Sequence, residues 1–379
     1  MKPNVIMLCL LTVILSFPAS AIARGDEEPQ GRITALKGRL EVKKKNSRVW
    51  TAAKPGMNVF YGDAIRTGDP GEGVITLVDD SFIKVHSNSQ IILNTIISPL
   101  KKKNSILLFF GRVWNKVSKR SLRKKVFEVQ TPTAVCGVRG TDFETAAYED
   151  GTTIVRVNSG EVNIDNELFR QTIYENQGTR LSYETREIRV EPGFKPDWKK
   201  SDAEGRKNLF ADGEKYGGYV HAEIYKRRDH LKRLVERTAE LAEQKRQLTT
   251  AADTSQDEGD RATYEARMAE IVNINRELGA LNIQIAYYGG RLECQFGLFS
   301  HYGYLAKHPD LSKHFKGREF ILKELDNIEM IRAEFDAMIE EGMKMSMEDM
   351  EDMMDEMRQK VKAHKNNNGQ KKDLFDEIE

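Results

Sequence analysis

The stretch from Thr131 to Ile164 constrains the fold of this chain more than any other feature. Apolar residues suited to a pleated surface recur in it, and Gly137 and Gly140 interrupt the first run as at a bend or bulge. Glu149-Asp150-Gly151 is a turn signal between two β-prone runs. The stretch therefore predicts short antiparallel strands joined by tight turns.

Nine residues of this stretch form the candidate structural motif: Thr131, Pro132, Gly137, Arg139, Gly140, Thr141, Phe143, Gly151 and Gly160. Arg139 is the unusual member, because a charge within an apolar run is generally paired when it is buried. We expect it to be a buried or half-buried ion-pair partner, and a contact to a ligand is the alternative. We identify no catalytic, cofactor-binding or metal-binding residues, and we expect no cofactor.

This stretch resembles the core of the FecR-type domain, in which a TPxAxxxVRGTxF pattern precedes a Gly-Thr turn and a Gly-x-Val return. The resemblance extends upstream and covers about residues 31–192. The upstream segments that carry it are GRITALKGRLEV at 31–42, GDAIRTG at 62–68, DDSFIKV at 79–85 with SQIIL at 89–93, and GRVW at 111–114. The resemblance implies a twisted, solenoid-like or sandwich-like all-β domain.

Domains of this type occur in sensors that couple outer-membrane receptors to a cytoplasmic sigma factor. Such sensors carry an anti-sigma segment and a membrane helix before the domain, whereas about 30 residues precede it here. We therefore expect the resemblance to imply the domain and its place in the envelope, without the sigma-regulating role.

The chain changes character near Pro192, which predicts a multi-domain α and β protein. Short β-prone runs alternate with turns before this point, and apolar residues at helical spacing follow it. We predict a signal peptide at 1–23, a FecR-like β-domain at 30–192, a linker at 193–199, an α-helical region at 200–362 and a disordered tail at 363–379. The helical region is expected to form an antiparallel hairpin, or a coiled coil, that breaks at residues 250–259 and ends at Gly289-Gly290, before a third segment from about Leu311.

The N-terminus has the features of a secretory signal. An apolar segment at residues 5–17 is too short to span a bilayer, and small-x-small sites end at Ala21 and Ala23. Cleavage predicts a periplasmic or extracellular protein without an integral membrane span, and a retained anchor is the alternative. Cys136 and Cys294 then remain; we expect Cys136 to be buried and unpaired, with a disulfide between the two as the alternative.

The charge distribution bears on the choice of partners. Residues 30–192 contain 26 Lys and Arg against 18 Asp and Glu, whereas residues 193–379 contain 31 against 37. The lysine clusters at 43–45, 101–103 and 119–125 are either solvated turns or contacts to an anionic envelope polymer, and export argues against nucleic acid. We expect a protein partner or such a polymer, and the apolar helical faces also allow self-association.

The sequence predicts a non-enzymatic binding, scaffold or signalling module of the cell envelope. The alternative is a periplasmic metal-handling protein, because seven methionines lie in an acidic segment at residues 343–357 and thioethers suit Cu(I). Five of them step by three and four residues, so helix packing explains them as well.

Overall fold

Within the described residues, fifteen β-strands precede the helices, as the sequence predicts for a β-rich region followed by a helical one. The structure is a computed structural model that describes residues 28–45, 47–98, 101–118, 127–257 and 259–339. The strands are β1 Gly31–Lys43, β2 Trp50–Ala52, β3 Asn58–Val59, β4 Ala64–Leu77, β5 Phe82–Val85, β6 Gln90–Ser98, β7 Lys101–Lys116, β8 Phe127–Gln130, β9 Val135–Val138, β10 Asp142–Ala147, β11 Thr153–Ser159, β12 Glu161–Asp165, β13 Arg170–Tyr174, β14 Gln177–Leu181 and β15 Glu191–Pro192.

All described strands belong to one sheet organised around the long strand β7. The path through the sheet runs β13-β12-β9-β8-β7-β10-β11-β14-β15, and β4, β5 and β6 join β1 to it. The pairing of β7 with β8 is parallel, and the other described pairings are antiparallel. Side chains alternate between buried and exposed positions along β4, and the buried set, which includes Ile33, Ile65, Ile75 and Phe143, forms the core of the β region.

Four helical segments follow the sheet in the described part of the chain. Helix α1 spans Trp198–Ala211, α2 spans Gly213–Asp257, α3 spans Arg261–Lys307, and residues 318–339 are helical after a 3-10 turn at Leu311–His314. Asp197 and Asp260 cap α1 and α3, because their side chains accept hydrogen bonds from the third backbone N–H that follows. None of the described helices is long and apolar enough to span a membrane.

Helices α2 and α3 form a hairpin around a shared apolar core. The chain reverses between the end of α2 at Asp257 and the start of α3 at Arg261, and Arg237 of α2 contacts Glu277 of α3 at 3.0 Å. Ile224, Leu231 and Leu281 are buried between the two helices and the helix at 318–339. The hairpin is as predicted; whether its seam is that of a coiled coil stays a prediction.

Four expected boundaries in the helical region differ from those of the structure. Helix α2 continues through residues 250–257, and α3 continues through Gly289-Gly290 to Lys307. The third segment begins with a 3-10 turn before its helix starts at residue 318, and α1 already begins inside the expected linker at 193–199. The glycine pair was interpreted as a helix end, but both glycines are buried inside α3.

Four sequence predictions lie outside the described residues: the signal peptide at 1–23, the lysine cluster at 119–125, the methionines at 343–357 and the tail at 363–379.

Candidate functional site: the docking interface between sheet and helices

The structure divides the nine motif residues between two ends of the sheet. Thr131, Pro132 and Gly151 lie at the end that faces α3. There the hydroxyl of Thr153 contacts that of Thr131 at 2.8 Å, and the Nε2 of Gln295 in α3 donates to the Pro132 carbonyl at 3.4 Å. This half of the motif is therefore part of the contact between sheet and helices, which we call the docking interface.

Arg139, Gly140, Thr141 and Gly160 lie in turns at the opposite end, whereas the two remaining motif residues lie within strands. Gly140 and Gly160 adopt positive φ angles of 64° and 88°, and the Thr141 hydroxyl donates to the Glu161 carbonyl at 2.8 Å. Phe143 is fully buried in the core of the β region. Gly137 lies in β9, where it pairs with residues of both β8 and β12.

Arg139 is exposed, which corrects the expectation of a buried ion pair. It lies between the end of β9 and Gly140, where the chain turns toward β10. A side chain at such a corner points away from the core, so its charge stays in water. Arg139 forms no ion pair with the described residues.

The buried charges lie instead where the β12–β13 turn meets the helices. Glu167 accepts hydrogen bonds from Nε and Nη2 of Arg227 in α2 at 2.9 and 2.7 Å, and its Oε1 lies 3.0 Å from Nη1 of Arg291 in α3. Only 3% of each arginine side chain is exposed. Glu223 extends the group to Arg227 at 2.7 Å and to Arg186 of the β region at 2.5 Å. We call these five residues the Glu167 cluster.

The electrostatics of this cluster favour the charged forms. Burial disfavours the guanidinium of Arg291, yet the Glu167 carboxylate and Tyr287 hold its pKa above the usual value. Burial likewise opposes ionisation of Glu223, but Arg227 and its other cationic neighbours hold its pKa below the usual value. The cluster is therefore a set of ion pairs whose partners come from both parts of the molecule.

A second polar contact forms at the β10–β11 turn. Glu149 Oε1 lies 2.8 Å from Nε2 of His301 in α3 and 3.2 Å from Nη1 of Arg206 in α1, and the Tyr302 hydroxyl donates to the Glu149 carbonyl at 2.5 Å. Burial works to raise the pKa of Glu149, but the hydrogen bond and charge of His301, with that of Arg206, hold it below the usual value. The turn predicted at Glu149-Asp150-Gly151 thus contacts both α1 and α3.

Between these polar contacts α3 lies very close to the sheet. A Cβ atom on Gly290 would lie 2.1 Å from Oε1 of Gln130, and one on Gly297 would lie 2.2 Å from the Phe109 ring. Cys294, between them, donates its thiol to the Gln130 carbonyl at 3.4 Å. The glycines thus permit a contact that larger residues would prevent.

Both described cysteines are buried and unpaired. Burial raises the pKa of the Cys136 thiol to about 12, and it raises that of the Cys294 thiol well above its usual value. Neither thiol is therefore activated as a nucleophile. Within the described ranges, no group of three or more His, Cys, Asp or Glu residues is arranged to hold a metal ion.

Residues 63–163 match the family model of the FecR protein. The chain carries a FecR domain. The match begins within the predicted range of 31–192 and includes all nine motif residues. It ends four residues before Glu167, so the docking interface combines the FecR domain with segments that follow it.

Known structures resemble the chain over a limited part of its length. Two crystal structures of a "putative anti-sigma factor" from Parabacteroides distasonis show 21% and 20% identity and a TM-score of 0.30, and the match covers 34% of this chain and 59% of theirs. A structure described as a cell surface anchoring domain shows 28% identity and a TM-score of 0.17, with 17% of this chain and 84% of the other covered. No curated protein matches the chain in sequence.

Proposed function

We propose that this protein is a non-enzymatic, extracytoplasmic module of the cell envelope in which a FecR domain and a helical hairpin act as one binding or scaffold body. The observation that carries the proposal is the Glu167 cluster. Glu167 of the β region pairs with Arg227 and Arg291 of the helices, so the helices alone would lose the carboxylate that both buried arginines share, and Arg227 would keep Glu223 of its own helix.

The expected location rests on the sequence. The short apolar segment at residues 5–17 and the small-x-small sites favour export, and FecR domains occur in envelope proteins. A binding module of this kind can also act in signalling, as anti-sigma factors do.

A basic aromatic surface on β1, β2 and β4 supports a partner of negative charge. Two cations lie close to the Trp50 ring: the guanidinium of Arg66 is 4.2 Å from its centre, and the ammonium of Lys43 is 5.3 Å from it. Lys45 and Arg48 are exposed in the neighbouring turn. This surface fits an acidic protein surface or an anionic envelope polymer.

Sedimentation with envelope fragments tests the proposal. We expect the purified protein to bind the fragments, and the double variant Lys45→Glu/Arg48→Glu to bind at least about tenfold more weakly. Lys199→Glu/Lys207→Glu changes the net charge equally at exposed positions of α1 and is the matched control. It should bind like the parent.

Protease treatment of the fragments distinguishes the two kinds of partner. Binding that is lost identifies a protein, and binding that persists identifies a polymer or lipid. If untreated fragments retain the parent no better than an unrelated exported protein, the proposed function is wrong.

A further inference from the structure

Strand β13 lies at an outer edge of the sheet. Arg170–Tyr174 pairs with β12 on one side, and no strand from the described ranges pairs on its other side. An outer strand presents unpaired backbone groups that can bind another strand.

Two hydrogen bonds determine the direction of its backbone groups. The Asn166 amide donates to the Phe169 carbonyl at 3.1 Å, so the backbone of residue 169 faces β12. The Tyr174 amide donates to the side-chain Oε1 of Gln177 at 2.9 Å, so residue 174 faces away from it. Because directions alternate along a strand, the backbone groups of Arg170, Thr172 and Tyr174 point outward.

The side chains of these outward residues include a cation, Arg170, and an aromatic ring, Tyr174, which can stack on one another. The Arg170 guanidinium is held by two hydrogen bonds to Oδ2 of Asp165, from Nε at 3.0 Å and from Nη2 at 2.6 Å, and 77% of the side chain is exposed. Its flat face therefore remains available. Tyr174 is 54% exposed, and Thr172 lies midway between the two along the strand.

The docking interface holds this edge in place. Glu167, which has a positive φ of 76°, is fixed by the buried arginines, and Asn166 Oδ1 accepts from the amides of Leu168 and Phe169 at 3.2 and 2.8 Å. Leu168 and Phe169 are nevertheless 56% and 51% exposed. Large apolar side chains on a fixed turn beside an open edge are typical of an interaction surface.

We propose that β13 pairs antiparallel with β13 of a second copy of this chain, about a twofold axis through Thr172. Antiparallel pairing places outward residues opposite outward residues, so Thr172 faces Thr172 of the partner subunit and Arg170 faces Tyr174 of the partner subunit. Each copy then contributes one guanidinium over one aromatic ring, twice per dimer. The edge is complementary to itself, and this complementarity selects a second copy as the occupant.

The Gln177 side chain must move when the dimer forms. Its Oε1 occupies the place that the Arg170 carbonyl of the partner subunit takes, so one hydrogen bond replaces another. The pairing is independent of the envelope partner discussed above, because it uses a different surface.

Charge substitution at Thr172 tests the twofold axis, with sedimentation velocity as the measurement. Thr172→Lys and Thr172→Glu each place like charges directly opposite one another, so each variant alone should dimerise at least about tenfold more weakly than the parent. An equimolar mixture of the two should restore dimerisation, because opposite charges then meet. Thr51→Lys, an exposed position on the outer strand β2, is the control and should dimerise like the parent.

Thr172→Pro tests the backbone pairing. The outward N–H is not needed within the sheet, so the variant should fold, but both central hydrogen bonds of the dimer are lost and dimerisation should weaken at least about tenfold. A parent that remains monomeric at all concentrations would overturn the proposal. So would a dimer that Thr172→Lys leaves intact, which would place self-association on the helices. The proposal would also be wrong if β13 instead binds an extended segment of a different protein. In that case Thr172→Pro would block binding and Thr172→Lys would not.

Discussion

Replacing Glu167 by Gln should loosen the helices from the FecR domain. The change keeps the size of the side chain and removes the carboxylate that Arg227 and Arg291 share. An amide oxygen can still accept one hydrogen bond, but it cannot neutralise two guanidiniums that are 3% exposed.

The size of the stability loss depends on which partners Arg227 and Arg291 keep in the variant. Removing one partner of a buried ion pair costs about 3–5 kcal/mol. Glu223 remains 2.7 Å from Arg227 and compensates part of its charge, whereas Arg291 keeps a long hydrogen bond to the Tyr287 hydroxyl at 3.5 Å and the more distant charge of Glu223. We therefore expect the lower end, a loss of about 3 kcal/mol in the free energy of unfolding.

Urea unfolding, followed by circular dichroism at a helical wavelength, measures this loss. Glu187→Gln is the matched control, because it removes the same carboxylate from an exposed pair with Arg189 whose side chains are 60% and 78% exposed. Such pairs contribute about 0–1 kcal/mol. If Glu167→Gln unfolds at the same urea concentration as the control, the buried arginines are solvated in the variant and the argument fails.

Three further predictions address other parts of the molecule. Gly297→Ala should lower the free energy of unfolding by about 1–3 kcal/mol, because the new Cβ would overlap the Phe109 ring. Gly279→Ala is the control: its Cβ would meet nothing within 4 Å, so the same urea assay should show an increase of up to about 1 kcal/mol. Because its partners lower the pKa of Glu149, the ionised carboxylate stabilises docking at pH values above the ordinary glutamate pKa. This stabilisation is lost as the pH falls through the lowered pKa, so hydrogen exchange in α3 should rise as the pH falls below the ordinary glutamate pKa. Equal acid sensitivity in Glu149→Gln would assign that change to other carboxyls. Arg139→Ala should shift the unfolding free energy by less than about 0.5 kcal/mol, because the side chain is exposed; a larger loss would show that it has a partner.

Local patterns in the sequence predict much of the fold. The apolar alternation and turn signals between Thr131 and Ile164 correspond to strands β9 to β12, and Phe143 lies in the core. The apolar spacing beyond Pro192 corresponds to the helices. These signals are local, because each depends on neighbours along one strand or one helical turn.

The docking interface could not be predicted in this way. Glu167 and Arg227 are 60 positions apart, and nothing in either segment distinguishes them from the solvated charges around them. The apolar neighbours of Arg139 predict a buried charge, but the turn after β9 places the side chain in water. The clearest signal that was available is Gly289-Gly290: glycines within a helical pattern favour either an end or a close packing contact, and the structure shows the second.

The position of the interface also affects how the FecR domain can work. Pro132 and the Glu149 turn belong to the segment that identifies the domain, and α3 covers both. A partner of the intact protein must therefore contact other surfaces, such as the outer strand β13 or the basic face around Trp50. Glu167 lies directly before the exposed turn at Leu168, so the ion pairs that dock the helices also hold the edge of β13 in place. Loss of docking should consequently weaken dimerisation through β13 even though no residue of that strand changes, and the Glu167→Gln variant measured by sedimentation tests this coupling.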